Sequence, residues 1–159
     1  MVIQRVRGVA LIIQNPEGKI LVLQEYESKP HLGKYPGMFS IPMETSKPNE
    51  PDHCAVARLI DEELPGLGLS IDGALGVHVG SYRIVPRVWV KLFFIKASNA
   101  KLPDSDDPKN KEVGNHQWVS PEKALDLWLR QGAHEMISDF VGNKKGVLCK
   151  YCRIPKNKK

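Results

Sequence analysis

Glu50, Arg58, Glu62 and Glu63 are spaced in a way that suits a divalent cation, within the stretch IPMETSKPNEPDHCAVARLIDEELPGL at residues 41–67. Residues 51–64 carry a helical pattern: Ala55, Val56, Leu59, Ile60 and Leu64 recur as one apolar stripe. At roughly 100° per residue, Glu63 falls inside that stripe, between Leu59 and Val56, and Glu62 falls at its edge beside Ala55. A carboxylate within an apolar face needs a partner, because an unpaired buried charge is costly. Arg58 stands four residues before Glu62 and can pair with it, whereas Glu63 has no partner within the helix. A bound cation supplies one, and adjacent carboxylate oxygens suit Mg²⁺ or Mn²⁺.

The stretch resembles the Nudix box, whose pattern is G-x5-E-x7-R-E-U-x-E-E-x-G-U with U a bulky aliphatic residue. Glu50 matches the first Glu, Arg58 the Arg, Ile60 the aliphatic position, and Glu62 and Glu63 the Glu pair. Upstream, GMFSIP at residues 37–42 resembles the family's G-x-W-x-L-P approach. Downstream, Glu112 followed by Trp118-Val119-Ser120-Pro121 resembles its closing strand and helix. The resemblance covers about residues 3–140. It departs from the pattern at Glu44 (for Gly), at Leu59 (for the Glu after the Arg) and at Pro65 (for the closing Gly).

The resemblance implies hydrolysis of a nucleoside diphosphate-linked or other nucleotide substrate, with Mg²⁺ or Mn²⁺ lowering the pKa of the attacking water. It implies Glu62, Glu63 and Glu112 as metal ligands, and Glu50 with Arg58 as a structural pair. Glu62, Glu63 and Glu44 are the catalytic candidates, Glu44 because the loop before the helix faces the same metals in the family. The missing Glu at 59 is a ligand and, in several members, the general base. Leu59 can do neither, which leaves two readings: a slow hydrolase in which Glu44 substitutes, or a non-catalytic nucleotide-binding or regulatory protein on the same fold. Asp52 lies on the same helical line as Leu59 but suits the helix N-terminus better. Substrate contacts are expected from Arg5, Arg7, Phe39 and Arg83, since Arg forks suit phosphate and an aromatic ring can stack on a base.

The elements that must position these residues follow from pattern. Residues 4–13 and 19–26 read as a hairpin around Asn15-Pro16-Glu17-Gly18. Residues 38–41, 70–79, 87–96 and 116–119 read as further strands, and residues 121–129 and 133–140 as helices, the first capped by Ser120 with Pro121 in its first turn. Mixed strands with few helices point to an α/β fold; the resemblance makes it a Nudix-type α/β/α sandwich around a mixed sheet. One domain, 1–141, is expected, followed by a basic tail at 142–159.

Composition is ordinary for a globular protein: 159 residues, 42% hydrophobic and 26% charged. No apolar run is long enough to span a membrane, and the N-terminus lacks a signal-peptide pattern, so a cytoplasmic protein without membrane contact is expected. Much of the net charge of +5 comes from the tail, with Lys144, Lys145, Lys150, Arg153, Lys156, Lys158 and Lys159. It reads as a solvated segment, with non-specific nucleic-acid contact as the alternative. Cys149 and Cys152 form a lone C-x-x-C; with no second pair, reduced thiols are expected rather than zinc. Family members are often dimers, so a homodimer is a further expectation.

Overall fold

The computed structural model describes residues 6–65, 67, 77–103 and 112–142. The apolar run after residue 5 forms β1 (Val6–Gln14), which turns at Asn15 into β2 (Ile20–Glu25). The Asn15 side chain makes the turn: its Oδ1 accepts the backbone N–H of Glu17 and of Lys19, at 2.9 and 3.0 Å. A 3-10 turn at Pro30–Leu32 is followed by β3 (Phe39–Ser40), β4 (Met43–Thr45), α1 (Asp52–Glu63), β5 (Val77–Val85), β6 (Val88–Lys96), β7 (Val113–Val119), α2 (Pro121–Ala124) and α3 (Ala133–Gly142).

The strands form one sheet in the order β3-β2-β1-β6-β5, with β4 paired to β1 and β7 to β2. β1 and β6 run parallel, from Val6 opposite Val88 to Gln14 opposite Lys96; the other pairs are antiparallel. The sheet is therefore mixed, and helices cover both its faces. Val9, Leu11 and Ile13 of β1 share a core with Ala55, Val56 and Leu59 of α1. Ala10 and Ile12 share the opposite core with Ala133, Met136 and Ile137 of α3. Each large side chain buried this way contributes about 1.5–3 kcal/mol, and together they hold α1 across the sheet with Glu63 at its C-terminal end.

Several elements differ from expectation. The helix expected over residues 121–129 stops at Ala124, because the backbone beyond it turns to β3. Phe39 N–H donates to the Trp128 carbonyl at 2.6 Å, and Arg130 N–H donates to the Phe39 carbonyl at 2.9 Å. β4 was not expected: three residues are too few to show alternation, and β1 makes the strand by offering Gly8, Val9 and Ala10 as partners. β7 starts at Val113 rather than 116. The strand expected over 70–79 falls mostly outside the described residues; β5 runs from Val77 on to Val85. No helix among the described residues is long and apolar enough to cross a membrane.

Candidate functional site

At the C-terminal end of α1, a cleft of about 200 Å³ opens between the helix, the β1–β4 edge and the loop around the 3-10 turn. Val6, Met43, Val88 and Val90 give it an apolar wall. Its charged lining is Arg7, Lys29, Lys34, Glu44, Glu63, Glu112 and Arg130.

β4 brings Glu44 here. It closes so tightly on β1 that a Cβ at Gly8 would stand 2.8 Å from the Glu44 carbonyl oxygen. The Glu44 carboxylate then meets two groups of α1. On one side, Arg58 Nη1 donates to Glu44 Oε2 at 2.8 Å. On the other, Glu44 shares a hydrogen bond with the Glu63 carboxyl. Burial, and then this second carboxyl beside it, push the Glu63 pKa well above the usual carboxylate range. A protonated Glu63 carboxyl is then the donor that Glu44 can accept from.

Arg58 has its own partners. Nε and Nη2 grip Glu50 as a fork, at 3.1 and 2.8 Å, and Nη2 also donates to the Thr45 carbonyl at 2.8 Å. Hydrogen bonding from Arg58 holds the Glu50 pKa down at about 2. Glu62 is exposed and does not line the cleft; its Oε1 stands 3.9 Å from Arg58 Nη1.

Across the cleft, Glu112 Oε1 lies 3.2 Å from Lys29 Nζ and 3.9 Å from Lys34 Nζ. Behind these is Glu25, only 2% exposed. Lys34 Nζ and Arg130 Nη1 each stand 3.7 Å from its carboxylate. Burial raises the Glu25 pKa, opposed by Lys34 and Arg130. Arg130 also donates to the Leu32 carbonyl, while its Nε and Glu25 Oε1 have no hydrogen-bond partner.

Residues 4–140 match the NUDIX domain. The chain belongs to the NUDIX domain family. No curated protein matches it. Among solved structures, the NUDIX domain of Shewanella oneidensis NrtR complexed with ADP ribose has a TM-score of 0.67 at 11% identity, covering 90% of both chains. The E. coli ORF135 protein has a TM-score of 0.64 at 23% identity, over 89% of this chain and 92% of that one. A C. elegans Ap4A hydrolase in a binary complex has a TM-score of 0.61 at 20% identity, over 89% of this chain and 98% of that one. At these identities the likeness is one of fold.

NUDIX family members generally use divalent metals. Among the described residues of this NUDIX domain, no three His, Cys, Asp or Glu side chains gather closely enough to enclose an ion. The reason is local: Glu112 is drawn to two lysines and Glu62 stands on the Arg58 side. The Glu44–Glu63 pair remains, and it fits a hard cation as two oxygen ligands, with the other positions left to water and phosphate. A proton on Glu63, whose pKa is raised, is what a cation would displace.

The remaining residues singled out from sequence are dispersed. Leu59 is fully buried in the α1 core. Arg7 lines the cleft, 4.0 Å from Asp52. Phe39 packs against the α3-side core and is not part of the cleft lining. Arg83 lies over the Trp89 ring, 5.9 Å from its centre, and is also outside the lining. Arg5, Cys149, Cys152 and residues 143–159 lie outside the described residues. Sequence reasoning passed over Glu25, Lys29, Lys34 and Arg130. Glu25 carried a usable signal, because it continues the inward series Leu21, Leu23 of β2.

Proposed function

We propose that this NUDIX domain hydrolyses a diphosphate linkage in a nucleotide-type substrate, with one divalent cation, Mg²⁺ or Mn²⁺, held by Glu63 and Glu44. The observation that carries this is the Glu44–Glu63 carboxyl pair facing a cleft lined by Lys29, Lys34 and Arg130. A carboxylate supplied by β4 stands in for the one absent at Leu59. When bound, the cation neutralises the diphosphate and acidifies water. Lys34 and Arg130 draw the phosphates into the cleft. The apolar wall of Val6, Met43, Val88 and Val90 receives the less polar part of the substrate. Water attacks phosphorus, the bond to the leaving phosphate oxygen breaks, and a carboxylate of the Glu44–Glu63 pair accepts the proton from water. Arg58 orients Glu44 and does not touch substrate. Glu62, on the Arg58 side of the helix, is an outer ligand at most.

A second function, nucleotide binding without turnover, is favoured by Leu59, which leaves no carboxylate on α1 beside Glu63 on that helical line. The likeness in fold to an NrtR domain that was solved with ADP ribose agrees with it. Both are tested by measuring phosphate release from nucleoside diphosphate and triphosphate derivatives, with Mg²⁺ and then Mn²⁺, on the wild type beside Glu63→Gln. Cation-dependent release that falls at least about 100-fold in Glu63→Gln supports hydrolysis. No release, with thermal stabilisation by a nucleotide, establishes the binding protein instead.

A further inference from the structure

Resting on that reading of Glu63 and Glu44, we propose that the site takes a single divalent cation because Lys34 already occupies, as part of the chain, the place of a second one. Lysine is among the side chains least often buried, and a buried one needs counter-charge. The Lys34 side chain is only 10% exposed. Its ammonium stands 3.7 Å from Glu25 and 3.9 Å from Glu112, and is near enough for its charge to act on Glu63. Glu25 and Glu112 thus face one small positive charge as a pair of carboxylates, the kind of oxygen donors a hard cation takes, and here the cation is the ammonium.

The chain fixes Lys34 in that place. Lys29 and Lys34 exchange backbone hydrogen bonds, Lys29 N–H to the Lys34 carbonyl at 3.0 Å and Lys34 N–H to the Lys29 carbonyl at 3.1 Å. Gly33 supplies the left-handed φ of 72° that closes the loop between them. Arg130 braces Glu25 from the far side at 3.7 Å. Lys29 adds a second ammonium, 3.2 Å from the same Glu112 oxygen that Lys34 approaches. An ion bridging Glu112 and Glu63, as the second ion of a two-metal clamp does, would sit against both ammonium groups, with Coulomb repulsion at short range. Glu112 is thereby a tether for lysines. Lys34 is a positioning group for phosphate: compact, with three donors and a fixed origin.

The test counts ions on the full-length protein with Mn²⁺ alone, by calorimetry and by electron paramagnetic resonance. One Mn²⁺ per chain is expected for the wild type, with the spectrum of an isolated ion. Lys34→Ala, which uncovers Glu25 and Glu112, is expected to bind two, with a spin-coupled signal. Lys29→Ala, at the partly exposed rim, is expected to admit a second ion more weakly, and serves if Lys34→Ala does not fold. Two ions in the wild type overturn the proposal, with no variant required. One ion in the wild type and still one in both lysine variants also overturns it. If the wild type binds none and Glu63→Gln behaves the same, the Glu44–Glu63 cation site itself is wrong and this proposal falls with it; Glu63→Gln losing the single ion separates the two failures.

Discussion

Arg58 and Arg130 are both guanidinium groups set against carboxylates, yet they are held in different ways. Arg58 grips Glu50 as a fork, Glu44 through Nη1 and the Thr45 carbonyl through Nη2, at 2.8–3.1 Å. Arg130 and Lys34 share Glu25 at 3.7 Å, an ion-pair distance beyond direct hydrogen bonding, and leave Arg130 Nε and Glu25 Oε1 without hydrogen bonds. The first cluster lies at the rim and is hydrogen-bonded through all three guanidinium nitrogens, which is how a network rigidifies its surroundings. The second is deeper and keeps unspent hydrogen-bonding capacity beside a cleft. One cluster reads as scaffold and the other as receptor. The comparison explains why a box with fewer carboxylates still presents Glu44 and Glu63 as a pair: Arg58 holds Glu44 in place, and Lys34 and Arg130 supply positive charge that does not depend on bound ions.

The largest effect comes from placing a carboxylate where neither cluster reaches it. Leu59→Glu buries a charge among Val9, Leu11 and Ile13 and is expected to cost about 3–5 kcal/mol, read from the urea midpoint. A stable Leu59→Glu protein with faster cation-dependent hydrolysis would place residue 59 at the cation and remove the need for Glu44.

Removing the acid of the deep cluster comes next. Glu25→Ala leaves Lys34 and Arg130 buried without their shared counter-charge, at a cost of about 3 kcal/mol, with weaker phosphate binding. A neutral outcome in urea denaturation would mean that the cluster is solvated and the contrast with Arg58 is false.

At the rim, Arg58→Ala is expected to cost about 2 kcal/mol and to weaken Mn²⁺ binding by releasing Glu44. Arg58→Lys should recover little of either, because a point charge cannot form the fork. Full recovery by lysine would reduce the cluster to simple charge pairing.

The smallest effect is a pH dependence. Glu50 has its pKa depressed from 4.5 to about 2 in the folded state. Its contribution to stability is therefore complete above pH 4.5 and is lost as pH falls through that value towards 2. Glu50→Gln should flatten acid unfolding over that window. Identical acid profiles for the two proteins would remove Glu50 from the network.

Much of the scaffold was legible in the sequence. The apolar stripe Ala55, Val56, Leu59 encodes α1 and its buried face, and the continuous apolar run 8–13 encodes a strand covered on both sides. The site was less legible, because its members are brought together by short or irregular segments. Glu44 depends on β4, which β1 creates by pairing. Arg130 depends on the hydrogen bonds of residues 128–130 to Phe39, which overrode a helical pattern over 121–129. Lys34 lies in a loop whose Pro and Gly residues announce a turn but not which side chain it aims inward. Glu63 was legible as a carboxylate on an apolar face; the partner it finds, Glu44, lies nineteen residues earlier on another element.

The central claim is that Glu63 and Glu44 form the cation centre, and proton release tests it most directly. Mn²⁺ binding to the wild type would be measured by calorimetry at one pH in buffers of different ionisation enthalpy. Because the Glu63 pKa is raised, the cation should displace a proton from the pair. Affinity should then rise with pH until Glu63 is ionised, and Glu63→Gln should abolish both the binding and the released proton. Equal Mn²⁺ affinity in the two proteins, with no proton released, would contradict the claim and send the search for the cation elsewhere in the chain.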